Sequence, residues 1–271
     1  MIAERTGSLF KENIWRYYLT QGRSFPWRST SDPYHILVSE IMLQQTQTSR
    51  VTGRYEAFIE AFPDFASLAG AELNAVLTVW QGLGYNRRAL NLKKIAEIVV
   101  NEFQGRLPDS YDELTSLPGI GHATAGSILA FAFNKPIPFI ETNIRRVFIH
   151  FFFQDRQGIT DREILPHVEE TLDRDNPRQW YYALMDYGAM LSKSVPNPNR
   201  KSAHYARQSR FEGSDRQIRG MILKMLVAEA PVTEKKLIET LGKETSRVKR
   251  ILADLVNEGY IVRERTSIRI A

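Results

Sequence analysis

The chain of 271 residues contains no cysteine. That excludes disulfides, zinc held by thiolates, and iron–sulfur clusters held by thiolates. Long apolar runs are missing too. The longest candidate, Val147 to Phe153, is interrupted by His150 and falls far short of the ~20 residues of a membrane span. Residues 1–13 carry acids and no apolar core, which does not fit a signal peptide. No internal repeat is present. These absences point away from a membrane partner and towards an intracellular protein.

What is present is ordinary in bulk and uneven in detail. The chain is 43% hydrophobic and 25% charged, the composition of a globular protein. Its length suits one large domain or two to three small ones. The net charge is +5, but residues 200–271 hold 16 Lys and Arg against 9 Asp and Glu, while the rest hold 20 against 22. The basic character therefore belongs to the C-terminal quarter, where it suggests an anionic partner or a solvated face.

The most informative stretch is Leu117-Pro118-Gly119-Ile120-Gly121, followed by His122-Ala123-Thr124-Ala125-Gly126. Helical patterns run before it (Tyr111 to Ser116) and after it (Ala123 to Phe133). Pro118 ends the first, because the residue before a proline is pushed out of the α region. Gly119 and Gly121 are expected to supply positive φ for a tight hairpin. The hairpin opens onto a helix N-terminus, whose outward N–H groups can hold a phosphate. The alternative is an ordinary interhelical turn.

In chain order, residues 8–20 predict an amphipathic helix through Leu9, Phe10, Ile14 and Tyr17. A loop at Arg23 to Arg28 and a break at Asp32-Pro33 precede a helix over Ile36 to Thr48. Residues 54–62, 72–80 and 88–103 predict three more, divided by Pro63 and Gly82-Leu83-Gly84-Tyr85. After the hairpin, Glu141-Thr142-Asn143 leads into a helix with Ile144, Val147, Phe148 and Phe151 on one face. Tyr181 to Met190 is a further helix.

Two acids stand out. Glu40 lies among Ile36, Leu37, Val38, Ile41, Met42 and Leu43, with no basic residue within a turn. Burial there would raise its pKa and keep it protonated, as a general acid needs; a solvent-facing helix edge is the other possibility. Glu141 falls at a helix N-terminus, where the dipole favours the ionised form. Carboxyls in such opposed environments can divide acid and charge-stabilising roles, as glycosidic cleavage requires.

Beyond Pro196-Asn197-Pro198-Asn199, residues 201–213 form a polar linker. Helical patterns at 216–229, 234–241 and 246–258 and an alternating end, Tyr260 to Ile270, resemble a winged helix-turn-helix. Its third helix carries Arg247, Lys249 and Arg250, suited to phosphates, or the module contacts protein.

Taken together, these blocks resemble the helix-hairpin-helix DNA glycosylases, and among them the MutY-type adenine glycosylases in a form without an iron–sulfur cluster. The resemblance runs from about residue 10 to residue 192. It is carried by Phe25-Pro26-Trp27-Arg28, Ser39 to Gln47, Gly82 to Tyr85, the hairpin with Thr124-Ala125-Gly126, Asn143 to Val147, and Met185 to Met190. It implies an all-α fold: a two-lobed glycosylase domain (1–200) with a cleft between the lobes, the linker, and a winged helix domain (214–271).

The resemblance also implies roles. Glu40 matches the acid that protonates the leaving adenine, and Asn143 a residue supporting the catalytic carboxylates. Gln44 and Gln45 match residues that fill the duplex where the base has left, and Tyr85 an aromatic beside the opposite base. Trp27 and Arg28 match the wall of the base pocket. Gly119, Gly121, His122 and Thr124 belong to the hairpin that holds the DNA backbone. The target base is expected to flip out, since its bond cannot be reached inside the stack.

Departures from the family are equally specific. Glu141 stands for an Asp, Tyr182 for a Glu or Gln that reads adenine, Ala123 for the lysine of lyase-active relatives, and Ser192 for the first cluster cysteine. Where the family carries its 8-oxoguanine-reading domain, the resemblance leads to the expectation of the winged helix instead. The implied protein is a monomeric glycosylase without lyase activity, acting in the cytoplasm on nucleoid DNA with a mispaired or damaged base. Adenine is the leading target. Thymine or uracil opposite guanine, a damaged purine, or a non-catalytic DNA-binding role are the alternatives. No cofactor is implied beyond a structural monovalent cation at the hairpin.

Overall fold

The computed structural model describes residues 4–207 and 209–271. Residues 1–3, within the expected first domain and the stretch read for a signal peptide, and Gln208, within the expected linker, lie outside the described residues.

Helices dominate. In chain order they are α1 (Glu4–Gln21), α2 (Pro33–Leu43), α3 (Thr48–Ala61), α4 (Phe65–Gly70), α5 (Leu73–Trp80), α6 (Arg87–Glu102), α7 (Tyr111–Ser116), α8 (His122–Phe133), α9 (Thr142–Phe152), α10 (Asp161–Thr171), α11 (Pro177–Ser194) and α12 (Asp215–Glu229). Strand β1 (Val232–Thr233), α13 (Glu234–Leu241), α14 (Thr245–Asn257), β2 (Ile261–Glu264) and β3 (Ser267–Ile270) complete the chain. The chain divides into two compact units: Met1–Glu40 with Pro108–Arg207, and Ile41–Leu107 with Gln208–Ala271. The division falls inside α2.

In the first unit α9 packs on α11, and α11 on α1 and α8. Helix α8 is buried from Ala125 through Ala132, so it is apolar all round, as a central helix must be. Two glycines permit the close approaches. A Cβ at Gly188 would lie 2.5 Å from the Asn143 carbonyl oxygen, and one at Gly126 would lie 2.5 Å from Phe139 Cβ. The motif around Gly188 is thus a packing requirement that brings α11 against the start of α9.

In the second unit α4 and α5 pack on α6, and α3 on α5. Residues 214–271 form three helices and a three-stranded antiparallel sheet of order β1-β3-β2, with Ile261 opposite Ile270 and Val232 opposite Ile268. Val248, Ile251, Leu252 and Leu255 of α14 are buried in its core. This module shares the unit with residues 41–107, and α12 packs on α5.

Some local expectations change. The helix expected over 36–48 stops at Leu43, and Gln45 turns left-handed at φ 52 before α3 begins. The hairpin needs positive φ only at Gly119 (φ 82); Gly121 adopts φ −94 and is the N-cap of α8. Leu117 is extended before Pro118, as expected. Helix α10 is additional to the expected set, although Thr160 and Glu163 form a capping box at its start, a signal readable as Thr-x-x-Glu. Helix α4, capped likewise by Asp64 and Ser67, and strand β1 are additional too.

Candidate active site

Glu141 is the N-cap of α9. Its Oε1 accepts from the backbone N–H of Asn143 at 2.7 Å and of Ile144 at 2.8 Å, and its Oε2 from Asn143 Nδ2 at 3.2 Å. Asn143 is oriented in turn: its Oδ1 accepts from Arg146 Nη1 at 2.7 Å, which also donates to the Gly188 carbonyl at 2.7 Å. Since Oδ1 must face the arginine, Nδ2 must face Glu141. All three donors address the ionised carboxylate. The ionised form expected from the helix dipole is opposed, however. Burial raises the pKa, against the Ile144 and Asn143 N–H groups and the charges of Arg146 and Arg145.

Glu40 is half-buried on α2, between buried Val38 and Ser39 on one side and Ile41 and Met42 on the other. Burial pushes its pKa up to about 7; a hydrogen bond with Ser127 opposes this, the Glu141 charge adds to it, and Arg28 opposes it. The sequence expectation of a carboxyl holding its proton near neutrality therefore has a structural cause. Ser127, buried on α8 with its hydroxyl donating to the Thr124 carbonyl at 2.9 Å, is a neighbour of Glu40 that no sequence pattern announces.

The pocket residues are organised by Asp186, whose side chain is fully buried. Its carboxylate receives Arg28 through Nη1 at 2.9 Å and Nη2 at 2.8 Å, and Arg23 through its backbone N–H and Nε, both at 2.7 Å. Burial works against ionisation, but Arg28 and Arg23 hold the pKa below its ordinary value. Arg28, so fixed, lies over the Tyr182 ring at 4.4 Å and the Phe25 ring at 5.1 Å. Trp27 is buried and stacks on Phe25 at 5.0 Å. Tyr182 stacks on Phe131 at 4.5 Å, and its buried hydroxyl has no hydrogen-bond partner among the described residues. The phenol is raised by burial and by Glu40. The structure thus brings Glu40, Glu141, Asn143, Trp27, Arg28 and Tyr182 into the first unit.

The hairpin belongs to the same unit. His122 opens α8, exposed, with its ring stacked on Tyr111 and Nδ1 2.8 Å from the Tyr111 hydroxyl. Gly121 provides no side-chain cap, and a Cβ there would meet nothing within 4 Å. Packing inside the chain therefore does not require glycine at 121. Thr124 lies in the first turn of α8, and Ala123 supplies no amine.

Gln44, Gln45 and Tyr85 belong to the second unit, where Arg88 bridges the end of α2 and the turn before Tyr85. Buried Arg88 donates through Nη1 to the carbonyls of Ile41 (3.1 Å), Met42 (2.6 Å) and Gln44 (2.6 Å), and through Nη2 to those of Leu83 (3.2 Å) and Gly84 (3.0 Å). These bonds satisfy carbonyls at the end of α2 that the helix leaves open. Burial lowers Arg88 to about 10, still charged at neutral pH. The three cations expected to face phosphate on α14 are each paired: Arg247 and Arg250 share Asp215, at 2.6 Å and 2.8 Å, and Lys249 lies 3.8 Å from Glu234. Such half-exposed pairs are weak and can exchange for phosphate.

The residues do not fit an iron–sulfur cluster. The chain has no thiol, and the Ser192 hydroxyl donates to the Ala189 carbonyl at 2.6 Å. Beyond α11, Asn199 Nδ2 donates to the Thr142 carbonyl at 2.9 Å, Arg146 Nε to Asn197 Oδ1 at 3.3 Å, and Ile159 bridges to Ser202. Among the described residues no group of three or more His, Cys, Asp or Glu could hold a metal, and no helix is long and apolar enough to cross a membrane.

A helix-hairpin-helix with an acid of raised pKa and a helix-capping carboxylate defines a class, and comparison agrees. Residues 38–174 match the HhH-GPD superfamily base excision DNA repair protein family, and the chain belongs to that family. It is 38% identical over 200 residues to an adenine DNA glycosylase of Buchnera aphidicola subsp. Baizongia pistaciae, covering 72% of this chain and 56% of that protein. It spans little more than half the length of the Buchnera relatives it matches. An adenine DNA glycosylase of Mycobacterium tuberculosis is 30% identical over 278 residues, covering 93% and 90%. A thymine/uracil-DNA glycosylase of Pyrobaculum aerophilum is 32% identical over 185 residues, covering 66% and 80%. Among solved structures, a thermostable thymine-DNA glycosylase superposes with a TM-score of 0.63 at 26% identity, covering 73% of this chain and 92% of that one.

Proposed function

We propose that this chain is a DNA glycosylase that hydrolyses the N-glycosidic bond of a flipped base in double-stranded DNA, with adenine in a mismatch as its first target. The observation that carries this reading is the pair of acids: Glu40, able to hold a proton near pH 7, and Glu141, fixed by three donors that address its carboxylate. Glu40 gives its proton to the leaving base as the bond from C1′ to nitrogen breaks. The electron pair departs with the base. The Glu141 carboxylate faces the cationic sugar, stabilising the transition state more than the neutral substrate. Water adds to C1′ and releases a proton.

Ala123 offers no amine to form a Schiff base, so the product is an abasic site in an intact strand. The chain acts as a monomer, in the cytoplasm with the nucleoid. A monovalent cation at the hairpin belongs to the same reading. The second reading, thymine or uracil opposite guanine, is favoured by the Pyrobaculum relative and by Tyr182, whose phenol can donate as well as accept.

The test is an excision panel over mismatched and damaged duplexes, with alkali to reveal abasic sites. Wild type should cut after alkali only, and Glu40→Gln should lose ~10²–10⁴-fold in rate while binding the duplex as before. Equal rates for the two proteins, or binding without excision of any base, would overturn the reading in favour of a non-catalytic DNA-binding protein. Covalent trapping by borohydride would overturn the product.

A further inference from the structure

Tyr85 ends the Gly82-Leu83-Gly84-Tyr85 turn in the left-handed region, at φ 47. A bulky residue rarely adopts that conformation, and it persists only where its surroundings over-determine it. Two arginines do so. Arg88, from α6, sets its guanidinium 5.5 Å from the ring centroid. Arg216, from the first turn of α12, sets its own 5.3 Å from the same ring and donates from Nη1 to the Tyr85 hydroxyl. The second nitrogen of Arg216 is held by its own segment, donating to the Ser209 carbonyl at 3.0 Å and the Ser209 hydroxyl at 3.4 Å. A residue of the winged helix module therefore reaches a side chain of the glycosylase part, 131 positions away.

We propose that Arg216 is a positioning residue through which the C-terminal module sets the preference for the base opposite the excised one. The inference rests on the reading of the chain as a glycosylase with Tyr85 beside that opposite base. Arg216 fixes the phenol through its hydroxyl and the ring through its charge, so the wedge meets the opposite base in one pose. Without the arginine the ring rotates, and opposite bases of different shape are accepted more evenly.

The experiment compares single-turnover excision of one target base facing each of several opposite bases. The proteins are wild type, Arg216→Ala, Tyr85→Phe and the double variant, each first shown to keep its thermal transition. Arg216→Ala should compress the ratio of best to worst opposite base by about tenfold, the scale of one charge-assisted hydrogen bond. Tyr85→Phe, which keeps the ring and removes the acceptor, should compress it similarly, and the double variant no further. Rates that fall equally on all duplexes, or ratios that do not change, would overturn the proposal and leave the glycosylase reading standing. A second arm needs no chemistry. A duplex with a stable abasic analogue facing 2-aminopurine should change fluorescence on binding wild type and much less on binding Arg216→Ala. If wild type excises nothing, the glycosylase reading fails and the excision preference with it, and this arm still decides whether Arg216 positions Tyr85 against the opposite base; an equal change in both proteins overturns that.

Discussion

Glu141 and Tyr85 are both held in place by hydrogen bonds, but the donors come from different distances along the chain. Around Glu141 they lie two and three residues away, at Asn143 and Ile144. Around Tyr85, Arg88 lies three residues away and sets its charge against the ring, but the hydrogen-bond donor, Arg216, lies 131 positions on, in α12. A helix cap builds itself wherever its few residues fold. A clamp between distant segments exists only once the whole unit has folded. The proposed chemistry therefore rests on local structure and the proposed reading of the duplex on tertiary structure, and changes to each should fail in different ways.

The largest effect should break the local half. Glu141→Gln keeps the size of the side chain and removes the charge, so single-turnover excision should fall by two or more orders of magnitude, with duplex affinity equal or higher. Glu141→Asp is the sharper case. The backbone at 141 is extended, at φ −116 and ψ 179, as an Asp cap requires, and Asp can accept from the same two N–H groups. It should retain activity within about tenfold. If both variants excise at the wild-type rate, Glu141 is a cap and nothing more.

Arg88→Gln tests the tertiary half. Five carbonyls lose a charged donor, which should cost on the order of 3 kcal/mol of stability, measured by urea unfolding. Affinity for a duplex with an abasic analogue should drop more than the excision rate at saturating DNA. A larger loss in rate than in affinity would mean that the two halves are not separable.

A pH series gives a smaller but directional result. Glu40 is raised from an ordinary 4.5 to about 7, so excision should decline above about pH 7, approaching tenfold per unit. In stability the sign runs the other way from a salt-bridged acid. Between about pH 4.5 and 7 the unfolded chain loses this proton while the folded one keeps it, so the native state is progressively disfavoured. Glu40→Gln should therefore exceed wild type by on the order of 2 kcal/mol at pH 8 and match it near pH 4. Equal stabilities at pH 8 would show that burial does not strain the charge.

The smallest effect concerns the cations on α14. Replacing Arg247 and Arg250 with Gln should lower the slope of log affinity against log salt by ~0.9 for each phosphate that is no longer neutralised, without changing excision at saturating DNA. Asp215→Asn, which frees both arginines, should steepen it. Slopes unmoved by either change would favour a protein-contacting winged helix.

The same division explains what is legible in the sequence. The hairpin, the cap at Glu141, the acid in an apolar helix and the helices of the winged module all depend on neighbours within a turn or two. Even α10, outside the expected set, carries its local signal at Thr160 and Glu163. Asp186 cannot be read as an organiser, because Arg28 and Arg23 lie 158 and 163 positions away. Ser127 beside Glu40 and Arg88 across two turns are equally invisible to periodicity. The end of α2 is likewise completed from afar, since the Arg88 guanidinium donates to carbonyls that the helix leaves open.

The segment after α11 has a consequence for how this protein comes to be active. Asn197 and Asn199 tie that segment to Arg146 and to the Thr142 carbonyl of α9, and the bridge from Ile159 to Ser202 ties it to the stretch before α10. Nothing in this tether has to be loaded, inserted or kept reduced. The corner that carries Glu141 is held by the chain's own amide, guanidinium and backbone groups. Peroxide finds no thiol in this chain, and these contacts contain no sulfur to oxidise.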